Sequence, residues 1–233
     1  MKKIAAINGS PKLKNCVSEM FIGQTEAILE TKITIVQAVQ TIQQNDIHTS
    51  MAEVLDADAL LIVFPLYIDS LPAPLVRLLT LLEREATQKG GRLPVVYAIC
   101  NCGFYEAEQT RFALDMIESF TIRAGIPWGY GIGVGSGGFI LSRNRELSKG
   151  ATANIYAALR QLGEAIQEGI EKKENVFVTP KIPRFWYRFT GHIGWHRAAK
   201  KYGTRNSLKA KPYITHMEKN GCTDCGECGN ITK

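Results

Sequence analysis

Lys3-Ile4-Ala5-Ala6-Ile7-Asn8-Gly9-Ser10-Pro11-Lys12-Leu13-Lys14-Asn15-Cys16-Val17-Ser18 is the stretch on which the fold class turns. Its apolar run, Lys3 to Asn8, predicts a strand that stops at a Gly-Ser-Pro turn. From Cys16 to Glu30, Met20, Ile28 and Leu29 fall at helical spacing, so the strand feeds a helix through a polar loop. Within the loop, Gly9 permits a tight turn, Ser10, Asn15 and Ser18 offer side-chain donors, and Lys12 or Lys14 offers charge. The helix start adds unpaired amides and the positive end of its dipole. Neither the Gly-Lys-Ser/Thr of a triphosphate loop nor three-glycine dinucleotide spacing is present. A monophosphate held by hydroxyls and amides suits this loop better, and an ordinary polar strand-to-helix turn is the alternative.

Outward from that loop, strand and helix signals alternate. Ile33–Val36 predicts a second, β-branched strand, and Ser50-Met51-Ala52-Glu53 is a capping-box pattern opening a short helix. Ala59–Phe64 is a continuous apolar run, as expected of a strand buried on both faces of a parallel sheet. Pro74 suits the first turn of a Leu-rich helix running through Leu78, Leu82 and Arg84. Pro94–Cys100 predicts a fourth strand, Glu106–Ala124 a helix, and the Gly-dotted Ile126–Val134 a fifth strand. Ile155, Leu159, Leu162, Ile166 and Ile170 recur at steps of four, three, four and four, an amphipathic helix. The expected fold is α/β, a doubly wound five-stranded parallel sheet over residues 1–174, followed by a basic helical extension over 175–233. Such sheets bind ligands beyond the carboxyl ends of their strands, which directs attention to residues 8–18, 65–73 and 101–106.

Those loops carry a resemblance. Ile7-Asn8-Gly9-Ser10-Pro11-Lys12 with Asn15 resembles the phosphate loop of the NAD(P)H-dependent FMN reductases of the flavodoxin-like superfamily. Phe64-Pro65-Leu66-Tyr67-Ile68-Asp69-Ser70-Leu71-Pro72 resembles that family's second flavin loop, and Asn101-Cys102-Gly103-Phe104-Tyr105 stands where its third should lie. The resemblance implies a flavodoxin-like fold and FMN as cofactor. Ser10, Lys12, Asn15, Cys16 and Ser18 would then face the phosphate, Cys16 standing where many relatives carry Ser or Thr. Pro65, Leu66, Tyr67 and Ile68 would run along the flavin ring, with Asn101, Cys102, Gly103 and Phe104 completing the site. It further implies a homodimer that takes hydride from NAD(P)H and reduces a quinone, a flavin, a nitro or azo compound, or a redox protein. Both substrates use one face of the ring in turn, so no catalytic acid or base is named.

Physically, Pro65 and Pro72 stiffen the second loop and Tyr67 offers an aromatic face, while Gly103 admits close backbone approach. A half-buried loop aromatic and a plain turn are the respective alternatives. Gly133-Val134-Gly135-Ser136-Gly137-Gly138 matches a dinucleotide fingerprint in form, but no helix with a downstream acidic residue is expected after it. A flexible loop near the flavin or at a subunit contact is the expectation there. His192 and His196 have the spacing of a helical metal pair and lack an acidic third ligand.

Charge separates the two parts of the chain. The overall charge of +6 hides eleven Lys or Arg against three acidic residues from Asn175 onward, and 17 basic against 19 acidic before it. In the extension, Phe185, Trp186, Phe189, Ile193 and Trp195 alternate with Arg184, Arg188, Arg197, Lys200 and Lys201. Packing against the protein itself is the favoured reading, ahead of an anionic membrane surface, and nucleic acid is not expected for want of a binding module. The first apolar run, Ile4–Ile7, is too short for an export signal and the longest, Ala59–Ile68, too short for a membrane span, so a cytoplasmic protein is expected, with its six cysteines as thiols or metal ligands. Cys222, Cys225 and Cys228, in two successive C-x-x-C steps, resemble the start of a ferredoxin motif. They could hold zinc or an iron–sulfur cluster if His216 or another chain supplied a fourth ligand. Two rival functions follow, an electron carrier coupled to that centre and a flavin-binding module with a membrane- or partner-binding tail.

Overall fold

A computed structural model describes residues 2–43, 47–141 and 147–210. Six strands form one all-parallel sheet: β1 (Ile4–Asn8), β2 (Ile33–Gln37), β3 (Ala59–Pro65), β4 (Val95–Asn101), β5 (Trp128–Val134) and β6 (Val176–Val178). Their spatial order is β2-β1-β3-β4-β5-β6. The chain starts mid-sheet, steps outward to β2, then returns across β1 to build the other side. That reversal lies between β1 and β3, whose registers run Ile4↔Ala59 through Asn8↔Val63.

The central strands are buried on both faces, which is why β3 reads as an unbroken apolar run. One core layer holds Ile7, Leu60, Ile62, Phe64 and the inward face of α4 (Ala73–Gln88), with Leu75, Leu78, Leu79 and Leu82. On the opposite side, Ala6, Leu61, Val63 and Ile99 meet α1 (Val17–Leu29) and the later helix Ala153–Glu168. That helix buries Ile155, Leu159, Leu162 and Ile166 as its spacing predicts, but it ends at Glu168, so Ile170, the fifth residue of that spacing, lies beyond it and is exposed. Deleting any one of these leucines to Ala would cost about 2–5 kcal/mol.

Three expectations need correction. The sheet has six strands, not five: β6 pairs Val176, Phe177 and Val178 with Ile132, Gly133 and Val134. A three-residue strand behind the charged run Glu171-Lys172-Lys173-Glu174 has too little length to show a period. Ser50 is not a helix cap, because α3 spans Ile47–Leu55 and Ser50 lies inside it. Finally, a short helix, Gly137–Leu141, follows β5 where a loop was expected.

The chain divides into two compact units, Met1–Tyr187 and Arg188–Lys233. The long helix Arg184–Lys201 begins in the first and continues into the second. Within the second unit, the described residues 188–210 carry six Lys or Arg and no acidic residue. Phe189, His192, Ile193, His196, Arg197, Lys200 and Arg205 line a concavity of about 530 Å³ there. Among the described residues no helix is long and apolar enough to cross a membrane.

Candidate functional site

The loop after β1 is built from its own polar side chains. Asn8 is fully buried, and its Oδ1 accepts from the Ser10 amide at 3.0 Å, an Asx turn that aims the chain back toward the helix. Ser10, only 3% exposed, accepts from the Lys12 amide at 3.2 Å through Oγ. Its own hydroxyl proton remains to donate. Gly9 is required because a Cβ there would lie 2.8 Å from Leu75 Cδ2 and 2.9 Å from Phe64 Cβ. The loop therefore sits hard against the start of α4.

Cys16 caps α1. Its Sγ accepts from the Glu19 amide at 3.4 Å and stands 4.0 Å from Asn8 Nδ2. Asn15, in the left-handed region at φ 54°, precedes the cap. Its amide donates to Glu19 Oε2 at 2.8 Å, and its carbonyl accepts from Lys12 Nζ at 3.0 Å. As first-turn amides, those of Val17 and Ser18 have no intrahelical acceptor.

The second loop leaves β3 through Pro65 and is pinned by the Leu66 amide on Asn101 O at 2.7 Å. Tyr67 and Ser70 then bond reciprocally, N to O, at 3.0 and 3.1 Å. Ile68 and Asp69 are the turn between them, with φ 49° and 56°. Ile68 is 99% exposed and Tyr67 49%. The third loop starts at Asn101, whose side chain is buried. Its Nδ2 donates to Phe64 O at 3.1 Å and Ser18 Oγ at 3.4 Å, so one amide ties β4, β3 and α1 together.

Beyond Asn101, the Cys102 side chain turns inward. Its Sγ lies 3.7 and 3.6 Å from the carbonyls of Phe104 and Glu106, and burial pushes the thiol up to about 11. The Cys102 backbone is engaged as well, its amide donating to Val134 O at 2.9 Å and its carbonyl accepting from the Gly137 amide at 2.8 Å. Phe104 is half exposed, and its carbonyl accepts from the Ser136 amide at 2.6 Å. Gly135 brings the loop after β5 against this one, since a Cβ there would come within 2.3 Å of Tyr105 O.

A feature the sequence did not announce closes the far side. Tyr187 donates its hydroxyl to Gly103 O, Tyr105 donates to Ile182 O at 2.6 Å, and Arg184 pairs with Glu106 at 2.9 Å. The Tyr187 hydroxyl is raised above the ordinary tyrosine value by its burial. The start of the long helix thus latches the third loop. No local signal marks this, because the partners are more than 75 residues apart.

Of the residues singled out in the sequence, Ser10, Lys12, Asn15, Cys16 and Ser18 share one loop and helix start, and Asn101 joins them to Pro65 and Leu66. Ser18 is buried, its hydroxyl turned to Asn101. Cys222, Cys225 and Cys228 lie outside the described residues. Among the described residues no group of three or more His, Cys, Asp or Glu is placed to hold a metal ion. Away from these loops, the first unit carries a groove of about 520 Å³ between α4 and α5 (Arg111–Ala124), lined by Val76, Phe112 and Met116 among others. Thr80, Asp115, Ser119 and the Arg123–Glu83 pair at 3.1 Å complete its lining.

No protein-family model and no curated protein sequence matches the chain. Solved structures do. One named as an NADH:FMN oxidoreductase in apo form superposes with a TM-score of 0.56 at 13% identity, over 74% of this chain and 92% of its own. The fold is flavodoxin-like. An oxidoreductase from Corynebacterium diphtheriae gives 0.53 at 8% identity over 72% and 97% of the two chains. An NADPH-quinone reductase from P. pentosaceus gives 0.50 at 15% identity over 70% and 98%. In this flavodoxin-like chain the strand order supplies the same switch point between β1 and β3.

Proposed function

We propose that the chain is an FMN-dependent oxidoreductase that takes hydride from NAD(P)H. The acceptor is a quinone, a free flavin, a nitro or azo compound, or a redox protein. The observation that carries this is Asn101, whose side-chain amide ties the ends of β3 and β4 to the start of α1, beside the point between β1 and β3 where strand order reverses. The names borne by the superposed structures support the donor and acceptor classes.

The residues present fit FMN. A phosphate needs donors and positive charge, and the loop offers the Ser10 hydroxyl proton, the Val17 and Ser18 amides, Lys12 and Lys14. When bound, FMN supplies the ring that accepts hydride and releases electrons. The chain's own part is to bind and orient. Ser10 and the helix start would fix the phosphate, and the Pro65–Ile68 backbone would align one edge of the ring. Tyr67 would exclude water from a face, and the Asn101–Phe104 backbone, latched by Tyr187, would hold the other edge. A second copy of the chain would cover the exposed Phe112 and Met116 in the α4–α5 groove, giving a homodimer.

Cys222, Cys225 and Cys228 are proposed to hold one ion, zinc or iron, with a fourth ligand from His216, solvent or another subunit. Removing residues 217–233 should abolish stoichiometric metal and leave FMN binding intact; metal content equal in both proteins refutes this. The reductase itself is tested anaerobically. NADH or NADPH should bleach the bound flavin, with ping-pong kinetics toward a quinone or free flavin. Bleaching by dithionite and by neither nucleotide would instead make the chain an electron carrier.

A further inference from the structure

The phosphate loop already contains an anion. Glu19 is the third residue of α1, and its carboxylate takes the Asn15 amide at 2.8 Å. The Asn15 carbonyl is held in turn by Lys12 Nζ at 3.0 Å. One residue at the mouth of the loop is thus clamped by two opposite charges, in a left-handed conformation that the clamp maintains. Glu19 also donates its own amide to Cys16 Sγ at 3.4 Å, so the cap and the carboxylate act as one unit. The arrangement is a capping box displaced by one residue, with the carboxylate reaching the residue before the cap.

Resting on the FMN reading above, we propose that Glu19 is an internal competitor for the phosphate. It holds the Asn15 amide beside the cradle in the empty protein and opposes the dianion in the loaded one. Two consequences follow with opposite sign. In the empty protein the carboxylate stabilises the loop and the start of α1, being a negative charge on the positive end of the helix dipole. In the loaded protein a phosphate seated on the Val17 and Ser18 amides stands one residue from that carboxylate. The phosphate must displace it or endure the repulsion. Either route lowers FMN affinity below what the donors alone would give, and keeps the flavin exchangeable.

Glu19→Gln separates this from a merely structural role. Glutamine retains an oxygen that can accept from the Asn15 amide and removes only the charge. Removing one negative charge from beside a phosphate dianion in a solvated loop makes the expected gain in FMN affinity roughly tenfold. Riboflavin, which lacks the phosphate, should bind both proteins equally. The empty variant should melt roughly 1–3 °C lower, having lost the charge at the helix start. Glu19→Asp, which keeps a charge there, should stay close to the unaltered protein. The measurement is FMN and riboflavin affinity by quenching of flavin fluorescence, together with the melting point of the empty protein. Were Glu19 only a scaffold, the glutamine variant would bind FMN as well as or worse than the unaltered protein, and that result overturns the proposal. Should the glutamine variant not fold, Glu19→Ala serves the same comparison of FMN with riboflavin. If the unaltered protein and its variants all ignore FMN, the flavin reading and this inference fall together. FMN bound by all with equal affinity refutes the inference alone.

Discussion

Replacing Ile68 with Asn should stabilise the protein, and the size of the gain follows from the backbone. Tyr67 and Ser70 exchange both hydrogen bonds, which makes Ile68 and Asp69 the two central residues of a hairpin turn. Both stand at positive φ, 49° and 56°, the conformation of a type I′ turn that favours Asn and Gly. A β-branched side chain there crowds its own carbonyl, and a non-glycine residue held so costs about 1–2 kcal/mol. Ile68 has nothing to set against that strain, because its side chain is 99% exposed. Asn tolerates the left-handed region without the entropy that Gly would add to the unfolded chain. The expected gain is therefore about 1–2 kcal/mol, or roughly 2–8 °C in melting temperature for a unit of this size. Thermal unfolding followed by circular dichroism measures it, with Ile68→Val as a control that keeps the β-branch and should not move the midpoint. An Asn variant that melts at or below the unaltered protein would refute the turn, or the strain assigned to it.

Two further outcomes follow from the site. Ser10→Ala removes a hydroxyl that would donate to the phosphate, a loss of ~1.5–3 kcal/mol, so FMN affinity should fall roughly 10- to 150-fold in a flavin titration; an unchanged affinity would remove Ser10 from the cradle. Cys102 is raised by burial from the ordinary 9.0 to about 11, so the unfolded chain loses this proton first as pH rises. Its contribution to stability is present in full below about pH 9 and is lost as pH climbs toward 11. Thermal midpoints from pH 8 to 11 should accordingly fall less for Cys102→Ala than for the unaltered protein, and parallel curves would contradict the buried thiol.

Much of the fold was legible because parallel strands buried on both faces leave a plain signal. Ala59-Leu60-Leu61-Ile62-Val63-Phe64 could hardly be anything but a central strand, and the Ile155–Ile166 spacing names its own buried face. What escaped was short or non-local. β6 is three residues long and acquires its meaning only beside β5. Gly137-Gly138 reads as a loop because glycine disfavours helices, yet Ile140 is fully buried and holds the short helix in place. Ser50 misled in the other direction, since a capping pattern carries no record of a helix that has already begun at Ile47. At the site, the three loops were visible as polar or proline-bounded breaks after strands. Their knot through Asn101 was not, since Ser18 lies 83 residues away. Glu19 was hidden for a chemical reason. Cys16-Val17-Ser18-Glu19 is a capping box with sulfur at the cap, and a search for Ser or Thr there passes over it.

The central claim is that the loop at residues 8–18 is a phosphate cradle within a flavin site. Equilibrium titration of the purified, flavin-free protein with FMN and, separately, with riboflavin tests this most directly. The account predicts saturable binding of one FMN per chain, with riboflavin weaker by at least the tenfold or more that a charged hydrogen bond contributes. A protein that binds neither, or that binds the two flavins equally well, would contradict it.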